Sequence, residues 1–412
     1  MHQASARSAV AQFPDKWDGP LRVALFSGNY NYVRDGANQA LNRLVEYLER
    51  QGASVRVYSP TSPRPAFAPQ GTLVSIPSVP LPGRGEYRLG LGLPAATQRD
   101  IQAFQPHLFH LSAPDWTGAA AQRLARKLGV PTVTSLHTRF EKYVDFYGAR
   151  FVRPAMERYL SRFYARSDRV LAPTRAIAAE LADAGLDGKV GLWSRGVDRV
   201  QFDPARRSDA WRRSNGIAED RIALLFFGRL VREKGLSDFA EVCDRLYAAG
   251  LPIEPVVIGD GPERKWLDQR LPPARLTGHL AGEALGQAVA SADIFFNPSI
   301  TEAFGNVTLE AMASGLPTVS ADVPSGSALL DRGTGLLYPV GDLDAAVVNI
   351  ARLASFFDMR IRMGQRARQA SAAYDWDSAS HQVWESYLDL LGRADSVDAE
   401  SPEAVPQSRA AI

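Results

Sequence analysis

The sequence predicts an α/β protein with two doubly wound parallel sheets that face each other across a cleft. Short apolar runs alternate with amphipathic helical patterns along the chain, which is typical of parallel sheets covered by helices. The chain has 412 residues, too many for one ordinary core, and a second series of strands begins at residue 222. We therefore expect two domains of similar size, with ligands bound at the carboxyl ends of the strands between them.

The predicted strands are short apolar runs bounded by polar or turn-forming residues. In the first half they are 21–28, 54–60, 73–79, 107–113, 132–138, 169–174 and 189–196. In the second half they are 222–230, 254–261, 274–280, 292–299, 317–323 and 335–340. Amphipathic helices such as ANQALNRLVEYLERQG and WTGAAAQRLARKLGV separate several of them. The Pro- and Gly-rich segment 60–94 predicts a long loop with one strand inside it.

Composition indicates the domain boundaries and the cellular compartment. Residues 1–18 and 393–412 have the composition of a disordered leader and tail, and the two domains are expected over 19–195 and 196–374. No apolar stretch approaches the roughly 20 residues that a membrane-spanning helix needs. A lone cysteine, Cys243, excludes an intramolecular disulfide framework and suits a reducing compartment. We expect a cytoplasmic protein, either free or peripheral on the cytoplasmic face of the inner membrane.

The two halves differ in charge, although the net formal charge is only +2. Residues 1–190 carry 24 Lys and Arg against 15 Asp and Glu, and residues 191–412 carry 23 against 30. The halves therefore have formal charges near +9 and −7. A basic first half favours an anionic partner, such as a phospholipid surface, a nucleic acid or a phosphorylated substrate.

One segment of the first half, 139–169, mixes basic and aromatic residues on a helical pattern. This composition fits adsorption to an anionic membrane surface, and equally a helix with an aromatic core face and a basic solvent face. A nucleic-acid partner is not expected, because no known binding module accompanies the segment. The candidate membrane- or acceptor-binding residues are Arg139, Lys142, Arg150 and Arg153.

The stretch TEAFGNVTLEAMASGLP, residues 301–317, holds two carboxylates after a buried strand. A helix is predicted from Asn306 to about Ser314, so that Glu302 lies in the strand-to-helix loop and Glu310 in the first turns. The free amides at residues 305–308 and the helix dipole could bind a diphosphate, with both carboxylates accepting hydrogen bonds from sugar hydroxyls. The alternative is that both acids only favour the helix N-terminus.

Other polar residues follow predicted strands and would face the same cleft. Arg229 and Lys234, in GRLVREKG, could hold a diphosphate, although such a pair is often a solvated loop. His137 ends a buried strand of the first half, where a polar role is favoured over a structural one. Gly36, in the loop after the first strand, would let a phosphate approach closely, but the loop lacks G-x-G-x-x-G spacing.

Residues of metal-binding type are better explained as structural. Asp342 and Asp344 form a D-x-D, yet they open a predicted helix, which indicates a cap. His107 and His110 are three apart on a strand and therefore point to opposite faces. We expect no metal site and no cofactor.

These motifs together resemble the family-4 retaining glycosyltransferases of GT-B fold. The resemblance rests on Gly36, His137, SRGVD (194–198), GRLVREKG (228–235), GDGPER (259–264) and TEAFGNVTLEAMASGLP (301–317). It spans residues 21–391 and is similar to the branch of GDP-mannose-dependent α-mannosyltransferases and of glycolipid sulfoquinovosyl and glucuronosyl transferases. Residues 375–392 resemble the last helix of this fold, which crosses back to the N-terminal domain. Asp35-Gly36 and Arg195-Gly196 depart from the Gly-Gly and Asn-Gly common in the family, which bears on donor and acceptor.

The resemblance implies a role for each matched position. Glu302 and His137 would contact the donor sugar, and Arg229 and Lys234 would neutralise the diphosphate as it leaves. Gly36 would approach that diphosphate from the N-terminal, acceptor-binding domain. The C-terminal domain would bind the nucleotide sugar through Leu280, Phe304, Gly305, Asn306, Val307 and Glu310.

The sequence therefore predicts a hexosyltransferase that moves a hexose, with mannose favoured, from a nucleotide-diphosphate sugar to a lipid-linked or glycan acceptor. The expected partners are GDP-mannose or a UDP-sugar, the acceptor and an anionic membrane surface. The alternatives are a UDP-sugar-dependent glycolipid synthase, a nucleotide-sugar epimerase, a sugar-phosphate synthase and a non-catalytic nucleotide-sugar-binding protein.

Overall fold

The computed structural model describes residues 19–392 except 82, 83, 144, 149 and 332. The leader 1–18 and the tail 393–412, both expected to be disordered, lie outside the described residues. Within the described part of the chain, no helix has the length and apolar composition needed to cross a membrane.

The first half is built on a parallel sheet. Within the described residues it has seven strands in the order β3-β2-β1-β6-β7-β8-β9. The strands of this half are β1 (Arg22–Phe26), β2 (Ser54–Ser59), β3 (Thr72–Ser75), β4 (Ser78–Leu81), β5 (Arg84–Gly90), β6 (Leu108–Leu111), β7 (Thr132–Ser135), β8 (Arg169–Ala172) and β9 (Val190–Leu192). Its central strands are buried on both faces, which explains their continuous apolar sequences.

The second half repeats this plan. Its sheet has six described strands in the order β12-β11-β10-β13-β14-β15, and neighbouring strands run parallel. They are β10 (Ile222–Phe227), β11 (Ile253–Ile258), β12 (Arg275–Gly278), β13 (Ile294–Asn297), β14 (Thr318–Ala321) and β15 (Gly335–Tyr338). Each predicted apolar run overlaps one of the strands of the two sheets, so the predicted fold class is confirmed.

Helices cover both faces of each sheet. In the first half they are α1 (Gly36–Arg50), α2 (Ala95–Phe104), α3 (Trp116–Leu128), α4 (Phe140–Tyr143), α5 (Arg153–Ala165) and α6 (Arg175–Leu181). In the second half they are α7 (Asp209–Ser214), α8 (Leu236–Ala248), α9 (Arg264–Arg270), α10 (Gly282–Ala290), α11 (Asn306–Ala313), α12 (Pro324–Leu329), α13 (Leu343–Ser355) and α14 (Phe357–Ala370). They are followed by α15 (Trp376–Leu390). The Asp342 carboxylate accepts from the Ala345 amide, 2.9 Å away, so the D-x-D pair does begin a helix as a cap.

Segment 60–94 corrects one expectation. Beyond β3 it contains an antiparallel hairpin, β4–β5, separate from both main sheets, where the sequence predicted only a loop with one strand. Only part of the hairpin is exposed, and its apolar alternation is short, with Val79 and Leu81 in β4 and Tyr87 and Leu89 in β5. Prolines and glycines within it strengthen the loop signal further.

The last helix returns to the first half, as predicted. Val383, Trp384 and Tyr387 of α15 are buried in one core with Leu44 of α1 and Trp193 after β9. The chain thus crosses between the halves twice, and the two crossings touch, since the Val197 amide donates to the Tyr374 carbonyl oxygen at 3.1 Å.

Candidate active site

A large cavity lies between the carboxyl ends of the two sheets. Its volume is about 1280 Å³. It is lined by all of the residues predicted to be catalytic or donor-binding: His137, Arg229, Lys234, Glu302, Gly36, Leu280, Phe304, Gly305, Asn306, Val307 and Glu310. The structure therefore brings together residues that are separated by more than 250 positions in the chain.

Two helix N-termini face each other across this cavity. Helix α1 begins at Gly36 and α11 begins at Asn306, and a Cβ built on Gly36 would lie 2.2 Å from the Asn306 side-chain nitrogen. Any larger residue at position 36 would require the Asn306 side-chain amide to move aside. Gly305, the N-cap of α11, has φ of 97°, which also favours glycine. The partial positive charges of both helix ends therefore point into the same space.

Lys234 and Glu302 form an ion pair at the wall of the second half. Lys234 Nζ donates to Glu302 Oε1 at 2.5 Å, and their side chains are 23% and 15% exposed. Burial acts to lower the pKa of Lys234, but the charge of Glu302 and its hydrogen bond outweigh it, so the pKa is raised. Lys234 therefore stays a cation inside the cavity.

Arg229 is held from the opposite half of the protein. Its Nη1 donates to the Tyr87 hydroxyl at 2.5 Å and its Nη2 donates to Glu86 Oε1 at 3.0 Å. A second contact between the halves lies beside Lys234, where the Tyr147 hydroxyl donates to Glu233 Oε2 at 2.7 Å. The first half therefore supplies side chains to the cation-bearing loop of the second half.

Glu310 of α11 is a half-buried residue that lines the cavity. Burial raises its pKa to about 8, with no nearby charge as a cause. A carboxyl group in this environment can form hydrogen bonds with the hydroxyl groups of a ligand.

His137 lies after β7 and is engaged on both sides of its ring. Its Nδ1 accepts from Arg195 Nη2 at 3.0 Å, because a guanidinium group can only donate. Its Nε2 is 2.8 Å from the Ser135 hydroxyl and therefore carries the proton. Burial, with Arg195 and His110 nearby, holds the pKa of His137 well below its ordinary value. The imidazole is thus neutral and fixed in orientation.

The network continues away from the cavity through His110. Its Nε2 lies 2.8 Å from the Ser135 hydroxyl, and its Nδ1 contacts the Tyr387 hydroxyl of α15. Burial lowers the pKa of His110 to about 3. His110 therefore has a structural hydrogen-bonding role. In the described residues no group of three or more His, Cys, Asp and Glu side chains could hold a metal ion.

Sequence reasoning did not select several residues that line this cavity. Arg195 is buried, stacks on Trp193, and burial lowers its pKa to about 9. Asp115 caps α3 at the end of β6, and burial raises its pKa to about 6. Both follow strands at their carboxyl ends, which is the signal that could have found them. The hairpin residues Glu86 and Tyr87 gave no such signal.

The four basic residues predicted to bind a membrane or acceptor lie outside this cavity. Arg139 pairs with Glu141 and Glu180, and Arg153 pairs with Asp145 and Glu157. The charges of these two arginines are therefore largely neutralised within the protein. Burial lowers the pKa of Lys142, and Arg150 is exposed.

A separate group of cations lies between α3 and α5. We call it the arginine groove: a cavity of about 410 Å³ lined by Arg123, Arg158, Arg162 and Arg166. Among the described residues, none of the four has a carboxylate within ion-pair distance. Tyr159 lines both this groove and the large cavity, and its hydroxyl donates to the Pro114 carbonyl oxygen at 2.9 Å. The groove therefore adjoins the first-half side of the site.

Known proteins are similar to this chain in sequence and in fold. Residues 34–201 match Glycosyltransferase Family 4, and residues 221–355 match Glycosyl transferases group 1. A sulfoquinovosyl transferase of Arabidopsis thaliana is 31% identical over 382 residues, covering 90% of this chain and 74% of that protein. A GDP-mannose-dependent alpha-mannosyltransferase of Mycolicibacterium smegmatis is 31% identical over 379 residues, covering 90% and 98%.

A solved structure shows the same fold at low sequence identity. The sucrose-phosphate synthase of Thermosynechococcus elongatus superposes with a TM-score of 0.74 and 19% identity, covering 90% of this chain and 99% of that one. Two Rossmann-like halves with a cavity between their strand ends form the GT-B fold. The chain belongs to the family-4 glycosyltransferases and is a hexosyltransferase.

Proposed function

We propose that the protein is a retaining glycosyltransferase that moves a hexose, with mannose favoured, from a nucleotide-diphosphate sugar to a lipid-linked or glycan acceptor. The observation that carries this proposal is the convergence of Arg229, Lys234 and the α11 N-terminus on one cavity that also holds Glu302 and Glu310. Such a set matches the diphosphate, the sugar and the ribose of one donor molecule.

The charges of the site suit the departure of a diphosphate. When the bond from the anomeric carbon to the diphosphate oxygen breaks, negative charge develops on that oxygen. Arg229, Lys234 and the amides of α11 would stabilise it, and such preorganised groups are often the largest catalytic contribution. The acceptor oxygen would then bond to the anomeric carbon from the same face, and its proton would pass to the leaving diphosphate. These cations supply the positive charge, so the proposal requires no metal.

Two carboxyl groups would orient the donor. Glu302 would accept hydrogen bonds from the sugar hydroxyls while it holds Lys234, and Glu310 would bind the ribose. His137 would contact the sugar through its main chain or ring carbons, because Arg195 and Ser135 engage both ring nitrogens.

The donor base and the sugar are parts of the same proposal. Similarity to a GDP-mannose-dependent alpha-mannosyltransferase supports GDP-mannose. Similarity to a sulfoquinovosyl transferase supports the second candidate, a UDP-sugar-dependent glycolipid synthase, at the same level of identity.

An anionic membrane surface is the proposed partner of the first half. The arginine groove supports this part of the proposal, because the helix positions 158, 162 and 166 place three cations in one row without acidic partners. Exposed aromatic rings lie nearby in the chain, with Trp116 61% and Phe151 83% exposed. Attachment to the cytoplasmic face of a membrane would bring a lipid acceptor to the cleft.

A donor screen tests the proposal. Thermal unfolding is measured with GDP-mannose, UDP-glucose, UDP-galactose, UDP-glucuronate and UDP-sulfoquinovose. A ligand at about 100 times its dissociation constant adds about 2.7 kcal/mol to the free energy of unfolding, so the donor should raise Tm clearly. Incubation with that donor alone then separates the alternatives, since an epimerase converts it without an acceptor. If no nucleotide sugar raises Tm, the proposal is wrong.

A further inference from the structure

The hairpin β4–β5 brings two side chains of the first half onto Arg229. Glu86 and Tyr87 both line the large cavity. Besides the two hydrogen bonds to Arg229, the Tyr87 ring lies under the guanidinium group, 5.1 Å from ring centroid to Cζ. The arginine is thus held by an aromatic face, a hydroxyl and a carboxylate.

These contacts use the groups that Arg229 would offer to a diphosphate. The terminal nitrogens of an arginine form a fork that binds carboxylate or phosphate oxygens, and here both nitrogens already have partners in the hairpin. Of these two partners, only the Glu86 carboxylate carries a negative charge. A diphosphate on the same fork would meet that carboxylate at close range, and like charges in a partly dehydrated cleft repel each other.

We propose that, when no donor is bound, Glu86 occupies the position on Arg229 that the donor diphosphate takes, so that Glu86 competes with the donor. Tyr87 orients Arg229 both with and without the donor. This inference rests on the proposed function, which gives Arg229 the diphosphate as its ligand. Glu86 then lowers the affinity of the site for the donor. Tyr87 is a positioning residue, because its ring and hydroxyl fix the direction of the guanidinium group.

The exposure of the pair determines the expected size of the effect. The Arg229 and Glu86 side chains are 26% and 39% exposed, so water screens their attraction and the pair is easily broken. Competition from such a pair should weaken donor binding by about fivefold, which corresponds to about 1 kcal/mol. The Lys234–Glu302 pair lies within the second half and is not part of this competition.

Nucleotide titrations of matched variants test the inference. GDP and UDP are titrated calorimetrically into the wild type, Glu86→Gln and Tyr87→Phe, because the free nucleotides carry the diphosphate without the sugar. Glu86→Gln keeps the shape of the side chain but removes its charge, and it should lower the Kd of the bound nucleotide by about fivefold. Tyr87→Phe keeps the ring but removes the hydroxyl, and it should raise that Kd by roughly threefold.

The chain offers a control pair three residues further on. Arg232 Nε donates to Glu263 Oε1 at 3.0 Å, and neither residue lines the cavity. Glu263→Gln removes one surface carboxylate in the same way and should leave the Kd unchanged. In steady-state assays with the donor, Glu86→Gln should lower the KM for donor and leave the KM for acceptor unchanged.

The failures can be distinguished. If the wild type binds neither GDP nor UDP, the proposed function fails. If the wild type binds one of them and Glu86→Gln binds it equally or more weakly, the competition is wrong and Glu86 supports Arg229 instead. Glu86→Ala, which also removes the hydrogen bond, should shift the Kd in the same direction as Glu86→Gln.

Discussion

Lys234 Nζ lies 2.5 Å from Glu302 Oε1, so a cation and an anion are held as a half-buried pair inside the candidate active site. Removal of either partner leaves the other charge poorly compensated, and each partner also has a separate proposed ligand. Each residue can therefore contribute both through the ion pair and through its own ligand, and a double-mutant cycle can separate these two contributions.

The first prediction concerns this pair. Lys234→Ala and Glu302→Gln should each lower kcat by roughly 100- to 1000-fold, because each removes a group that acts on the reacting bond. The double variant should lose less than the product of the two single losses, since both belong to one unit. Transfer rates with saturating donor provide the measurement, and Glu241→Gln, at an exposed pair with Arg245, serves as the control. Wild-type rates in both single variants would contradict the assignment.

The second prediction concerns the pH dependence caused by Glu310. Its pKa is raised from 4.5 to about 8, so the folded protein holds this proton over a range in which the unfolded chain has lost it. The associated stability is fully present below about pH 4.5 and is lost as the pH rises toward 8. Over this window the free energy of unfolding should fall by up to about 1.4 kcal/mol per pH unit from this group.

Glu310→Gln should remove that slope. Thermal unfolding of the wild type and the variant between pH 5.5 and pH 8 measures the difference. Donor affinity of the wild type should rise over the same range if the charged carboxylate binds the ribose, and it should be independent of this group in Glu310→Gln. Parallel Tm curves for the two proteins would show that Glu310 does not titrate in this window.

The third prediction concerns the approach of Gly36 to Asn306. A Cβ at position 36 would lie 2.2 Å from the Asn306 side-chain nitrogen, so Gly36→Val should displace that side chain and fill the space between the two helix N-termini. We expect a folded protein with at least a 100-fold lower kcat/KM, because the diphosphate would lose its contact with the first half. Gly129→Ala is a control for the general cost of replacing a glycine: its Cβ would meet nothing within 4 Å, but the φ of 68° strains an alanine, so it should lower Tm and leave kcat/KM unchanged. An active Gly36→Val would mean that catalysis does not need this approach.

The fourth prediction concerns the arginine groove. Co-sedimentation with vesicles of phosphatidylcholine containing phosphatidylglycerol should be strong at low salt and weak at high salt. Replacement of Arg158, Arg162 and Arg166 by Gln should lower the bound fraction severalfold, at about 1 kcal/mol for each cation near the surface. Arg139→Gln should have a smaller effect, because Glu141 and Glu180 already neutralise Arg139. Equal binding to pure phosphatidylcholine would exclude an electrostatic surface.

Sequence patterns predicted the elements better than the contacts between them. The strands of the two sheets and the helix at Asn306 could be predicted because their signals are local: continuous apolar runs, a glycine before a helix and a following glycine and proline. The hairpin β4–β5 could not, because its apolar alternation is too short to be distinguished among prolines and glycines. The family resemblance assigned His137 a sugar contact, but its engagement by Arg195 depends on how two distant segments pack. The Glu86–Arg229 contact likewise depends on the relative placement of the halves, which no local pattern encodes.

Helix α15 makes the second half an insertion within the first. The core around Trp193 is complete only when Val383 and Tyr387 join it, and these residues come near the end of the chain. During synthesis from the N-terminus, residues 196–374 can form their sheet while that earlier core still lacks one wall. The half that is translated first is therefore finished last, and during that interval it exposes apolar surface that α15 will later cover.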